Sequence, residues 1–169
     1  MSKQYNYKNC QSLFGYAFDV HVRSSGTCKL CGCGGDNLTF DLWRQMTIEH
    51  IIGRKQGGSL KEIREAVAKR FTDLNASEQD KLCNEINEIN TVTACSFCNS
   101  VTSRHPIDTN MQDLICDQTL GQNEICKKIK SEVEKILESK KADIKWKLES
   151  IRKEYKAIFL AKISNAGNK

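Results

Sequence analysis

The hydrophobic positions of this chain follow two periods, one helical and one alternating, and their order predicts the architecture. From Gln11 to Arg23 the apolar residues Leu13, Phe14, Ala17 and Phe18 share one helical face, which predicts a helix ending at Ser24-Ser25-Gly26. Leu38-Thr39-Phe40-Asp41-Leu42-Trp43 and Met46-Thr47-Ile48-Glu49 alternate apolar with polar, which predicts two short antiparallel strands joined by Arg44-Gln45. Ile63, Val67 and Phe71 then return to helical spacing behind Ser59, which has Glu62 at the capping-box position. Leu82, Ile86 and Ile89 make the face of a second helix that Ser77 is placed to cap. After the β-rich Asn90 to Ala94, a short helix is expected between Cys98 and Arg104, ahead of Pro106. Leu114, Ile115 and Leu120 are expected to dock on the core.

The longest pattern runs from Asn123 to about Ala161. Ile125, Ile129, Val133, Ile136, Leu137, Ile144, Leu148, Ile151, Tyr155, Ile158 and Phe159 fall mostly three or four apart, with Lys and Glu between them. One helix of that length would measure about 55 Å. Its stripe must be buried, either by folding back near Ser139 to Ala142 or against a second copy of the chain. The division this suggests is a first unit over residues 1–122 and a helical extension over residues 123–169.

Composition narrows the class. With 169 residues the chain can form one compact domain with an appendage. It has no run of 18 apolar residues, and its first residues lack the apolar core of a signal peptide, so no membrane is expected as partner and a cytoplasmic location is expected. The net charge of +5 is compatible with a polyanion. Nine cysteines, an odd number in a chain without an export signal, are better suited to metal ligation than to disulfides.

Cys28-Lys29-Leu30-Cys31 and Cys95-Ser96-Phe97-Cys98 are two such pairs. Two thiolates separated by two residues can grip one tetrahedral ion, and Gly32, Gly34 and Gly35 supply the permissive backbone for the turn. Cys28, Cys31, Cys95 and Cys98 together make a closed structural Zn2+ site. Of the other cysteines, Cys10, Cys83, Cys116 and Cys126 are expected to be small apolar residues, while Cys33 lies two residues from a ligand and merits attention. His21 is expected to be an ordinary helix histidine. The cysteine pairs enclose Glu49-His50 at a predicted strand end, a Gly57-Gly58 loop and Asn90, and Asn99 follows the second pair.

In that order these stretches resemble the HNH endonuclease family, over roughly residues 14–105. The resemblance implies an α+β fold: a zinc-pinned ββα-metal core, here with an inserted helical pair and a long C-terminal helical extension. It implies a metal-dependent DNA endonuclease of restriction type, acting on double-stranded DNA. His50 would be the general base and Asn90 would hold its ring. Glu49 and Asn99 would hold Mg2+ or Mn2+, and Arg54, Lys55 and Arg104 would meet the substrate. Physical chemistry agrees. Imidazole titrates where water must be deprotonated, and a carboxylate with an amide oxygen suits a hard cation. The chain departs from the family where Glu49 replaces the more frequent Asp or His and where Gly53 replaces a proline. A homodimer through the C-terminal helix would provide two sites for two strands. The alternatives are a zinc-stabilised DNA-binding or interaction module without catalysis, and a non-specific or nicking nuclease.

Overall fold

The computed structural model describes residues 17–160, 162 and 163. The expectations for Cys10, Leu13 and Phe14 lie outside these residues. The elements in chain order are α1 (Ala17–Arg23), α2 (Phe40–Trp43), β1 (Met46–His50), α3 (Leu60–Arg70), α4 (Ala76–Asn90), β2 (Thr91–Cys95), α5 (Ser96–Thr102), α6 (Met111–Ile115) and α7 (Gln122–Glu154). Short 3-10 turns stand at Gly35–Asn37 and Arg54–Gln56. A small two-stranded sheet among helices makes the fold α+β.

β1 pairs antiparallel with β2, from Met46 opposite Cys95 to His50 opposite Thr91. The expected local hairpin from Leu38 to Glu49 does not form. Thr39 instead caps α2, its hydroxyl accepting from the Leu42 amide at 3.2 Å. Phe40 is 74% exposed, while Leu38 and Leu42 on either side of it pack beside the cysteines. The strand that β1 does pair with arrives after the whole α3–α4 insertion, because α4 ends at Asn90 and runs directly into β2. α5 follows β2 at once, giving two antiparallel strands and a helix with an insertion between the strands.

The insertion is well capped. Ser59 and Glu62 form the expected box at the start of α3. At α4 the cap is Asn75 with Glu78, not Ser77, since the Asn75 side chain accepts from the Glu78 amide and the Glu78 carboxylate accepts from the Asn75 amide, both at 3.0 Å. The two reciprocal bonds satisfy amides that a helix start leaves unpaired.

Two apolar clusters result. The larger joins Ile51, Ile52, Ile63, Val67, Leu82, Ile86, Met111, Ile115, Ile125, Ile129 and Val133. The smaller surrounds the cysteines with Leu30, Met46, Ala94 and Ile144. α7 is a single 33-residue helix with no fold-back at Ser139 to Ala142. Its residues Ile125, Ile129 and Val133 belong to the larger cluster and Ile144 to the smaller, so the division at 122/123 is no boundary in packing. Beyond these, Trp146, Ile151, Tyr155, Ile158 and Phe159 are exposed.

Candidate functional site

β1 has a different site at each end. At its Met46 end, the loop from Cys28 is closed by bonds from the Cys28 amide to the Cys33 carbonyl and from the Gly32 amide to the Cys28 carbonyl, both 2.8 Å. Gly32, Gly34 and Gly35 all take positive φ, the conformation that such a turn requires and that a side chain would strain. The Lys29 amide donates to the Thr93 carbonyl at 2.9 Å and ties the loop to β2. Cys95 ends β2, and Cys98 lies one turn into α5. The sulfurs of Cys28, Cys31, Cys33 and Cys95 lie within 4.8 Å of one another. Four thiols at that separation could hold a metal ion such as zinc.

Cys33 therefore stands in a four-thiol group where Cys98 was expected. Cys98 is close by, fully buried and hydrogen-bonded to Cys28, Cys31 and Cys95. The turn that closes after Cys31 carries Cys33 back onto its neighbours, so five sulfurs meet where spacing alone counted four. Hydrogen bonds from Cys31 and Cys98 hold the Cys28 thiol well below the usual range, as befits a metal-binding thiolate. Cys83 and Cys126 are buried in the larger cluster, as expected of small apolar residues.

At the other end of β1 the chain leaves the sheet through Ile51, Ile52 and Gly53. Here a cleft of about 420 Å³ opens, lined in part by Glu49, His50, Arg54, Lys55, Asn99, His105 and Lys140. Five of the predicted site residues thus share one cavity. Arg104 does not line it; the side chain is exposed and the neighbouring His105 takes that wall.

His50 is 7% exposed. Burial, with smaller contributions from the Arg54 and Lys140 cations, lowers its pKa to about 4. The imidazole is neutral at pH 7 and able to take a proton. Asn99 donates its amide to the Thr47 hydroxyl at 2.8 Å and to the Ile48 carbonyl at 3.2 Å, which leaves the amide oxygen as the acceptor it can offer to the cleft.

Asn90 stands where α4 runs into β2. It is fully buried, and its side chain accepts from the Ile52 amide at 2.8 Å and donates to the Ile52 and Gly58 carbonyls at 3.0 Å. Its own carbonyl accepts from the Ile51 amide at 2.9 Å. The side-chain amide is thus spent on the backbone of the loop after His50. Gly58 is required for this approach, since a Cβ there would collide with the Ile52 carbonyl and lie 2.9 Å from the Asn90 amide nitrogen.

Glu49 is 6% exposed, and its carboxylate already has a cation. Lys140, on α7 and 1% exposed, places Nζ 2.5 Å from Glu49 Oε1 and 3.1 Å from the Ile51 carbonyl. The Thr102 hydroxyl lies 3.4 Å from the same Oε1. A carboxylate and an amide oxygen are a fitting donor set for a hard dication. One of those oxygens is covered by an ammonium.

His105 had no role in the sequence reading, and Lys140 counted there only among the lysines and glutamates of the long helix expected on its solvated face, whereas it is buried. His105 Nε2 contacts the Ser139 hydroxyl at 3.1 Å, with Asp143 3.9 Å from Nδ1, so α7 holds this wall too. His21 lies elsewhere, its ring 2.9 Å from the Thr93 hydroxyl. Lys140 did leave a signal. The core-facing stripe Val133, Leu137, Ile144 and Leu148 steps seven positions from Leu137 to Ile144, and the two residues at stripe spacing in that gap, Lys140 and Lys141, are both lysines.

Among the described residues no helix is long and apolar enough to cross a membrane. Comparison with protein-family models, with curated proteins and with solved structures found no match to this chain.

Proposed function

We propose that this protein is a metal-dependent endonuclease of the HNH type, hydrolysing phosphodiester bonds in double-stranded DNA. The observation that carries the reading is the meeting of Glu49, His50, Asn99, Arg54 and Lys55 in one cleft where two antiparallel strands end near a helix. In this reading neutral His50 takes the proton from the attacking water. Glu49 and Asn99 hold Mg2+ or Mn2+, which when bound stabilises the charge on the phosphate and its leaving oxygen. Arg54 and Lys55, exposed at the rim, meet the DNA backbone without reading bases. Asn90 keeps the loop after His50 in register, so that His50 and Arg54 present themselves together. The cysteine group binds a structural zinc and holds α5, with Asn99, against β1.

Cutting both strands calls for two sites, and the exposed apolar stripe from Trp146 to Phe159 offers a surface for a second copy. The pairing of Lys140 with Glu49 favours a second reading, a zinc-stabilised DNA-binding module without catalysis. Supercoiled plasmid incubated with Mg2+ separates the two. Nicked or linear product from wild type but not from His50→Ala supports the nuclease. DNA retention without cleavage by either protein supports the binding module. Linear product from single molecules would indicate double-strand cutting, and accumulation of nicked circles would indicate a nicking enzyme.

A further inference from the structure

The cleft contains a buried lysine that its proposed chemistry does not use. Lys140 comes from a helix 91 residues away in sequence and reaches the one carboxylate of the strand end. A lysine is buried this completely only when its ammonium is paired and hydrogen-bonded. Both conditions hold, through Glu49 and the Ile51 carbonyl. Those two acceptors are hard oxygens, of the kind a divalent cation prefers. The ammonium sits on the oxygen such an ion would take.

We propose that Lys140 and the catalytic divalent ion compete for Glu49, so that α7 carries a resident cation which must leave the carboxylate before the ion binds. This rests on the assignment of Glu49 as a metal ligand above. The physical basis is simple. Two cations cannot share one carboxylate oxygen at contact distance in a poorly solvated cleft without strong repulsion. While no ion is present, Lys140 spares Glu49 the cost of a buried unpaired charge. Its presence therefore stabilises the empty site and weakens ion binding. Lys140 is a positioning residue, acting on the reaction through Glu49, and the C-terminal helix is part of the site.

Binding of Mn2+ to the zinc-loaded, full-length protein tests this, read as loss of the free-ion electron paramagnetic resonance signal. Lys140→Met removes the competing charge and should bind one Mn2+ at least about tenfold more tightly than wild type, the smallest change a neighbouring unit charge produces at a carboxylate. Lys140→Arg restores a cation and should bind near wild-type strength. Glu49→Gln should abolish the tight site in the Lys140→Met background. Equal Mn2+ affinity in wild type and Lys140→Met, or no Mn2+ bound by Lys140→Met, overturns the proposal. If Lys140→Met does not fold, Lys140→Gln keeps a neutral hydrogen-bond donor and is judged by the same criteria.

Wild type supplies an independent measurement. Acylation of Lys140 by an activated acetate ester, read by peptide mass spectrometry, should rise when Mn2+ is added, while that of Lys141 stays constant. No Mn2+-dependent rise at Lys140 overturns competition. The two readings fail separately. His50-dependent cleavage without the Mn2+ pattern removes the competition alone. The Mn2+ pattern in a protein that cuts no DNA removes the nuclease alone.

Discussion

The two ends of β1 solve one problem, the holding of a cation, by opposite means. At the Met46 end the sulfurs come from two short stretches, the glycine-rich turn after Cys28 and the junction of β2 with α5. At the His50 end the parts come from β1, α5, the loop before α3 and α7, and only tertiary packing assembles them. The first end is rigid because it is local. At the second, Lys140 is held by two polar contacts at the end of a flexible stem, the arrangement that the proposed exchange with a divalent ion requires.

The largest effect should come from the closed end. Cys28→Ser or Cys95→Ser should lose zinc by elemental analysis and lower stability by on the order of 10 kcal/mol, enough to unfold the domain. A zinc-free variant that melts like wild type would erase the contrast between the ends. His50→Ala should reduce plasmid cleavage by about 10²- to 10⁴-fold while zinc content and melting temperature hold. Parallel loss of fold and activity would make His50 a core residue and the cleft a packing defect.

Two effects of about 3 kcal/mol follow. The pKa of His50 in the folded protein lies below the ordinary 6.5, at about 4, so its neutral form stabilises the fold. That contribution is complete above pH 6.5 and is lost as pH falls through about 4, amounting to roughly 3 kcal/mol. Urea unfolding of wild type and His50→Gln between pH 7 and pH 4 should show the extra slope in wild type alone. Asn90→Ala leaves the Ile52 amide without its buried acceptor and two carbonyls without a donor, and should lower stability by about 3 kcal/mol. An Asn90→Ala protein of unchanged stability would show that the loop holds its own shape.

The smallest effect sharpens the metal end. Five sulfurs meet and a tetrahedral ion takes four. Cys33→Ser should keep one zinc per chain and change stability by less than about 1 kcal/mol, whereas Cys98→Ser should lose zinc with the large loss of stability expected of Cys28→Ser. The reverse result would assign the fourth ligand to Cys33.

Local chemistry was legible in the residues. The Cys-x-x-Cys spacings, the glycine-rich turn, the Ser59–Glu62 box and the helical stripes of α3, α4 and α7 each depend on neighbours within a few positions, and each element formed. Misreadings arose where two local choices were nearly equal. The stretch from Leu38 to Trp43 alternates like a strand, but a threonine cap made it a helical turn that still sets Leu42 beside the cysteines. Asn75 and Ser77 are both good caps with an acid three residues on, Glu78 and Asp80, and the longer Glu78 closes the box with Asn75.

What the sequence determined by itself was the set of chemical parts: thiol pairs, an acid–histidine strand end, asparagines and a long amphipathic helix. Tertiary structure decided how they are used. It paired β1 with a strand beyond a two-helix insertion, turned Asn90 toward the loop backbone and brought Cys33 into the thiol group. It also carried Lys140 across 91 residues to Glu49. The reason is that a side chain's charge and donors are encoded locally, while its partner is set by which surfaces the apolar stripes bury together. The gap in the α7 stripe marked where a polar residue would face the core; only the packing of α7 over the end of β1 made that residue a partner of Glu49.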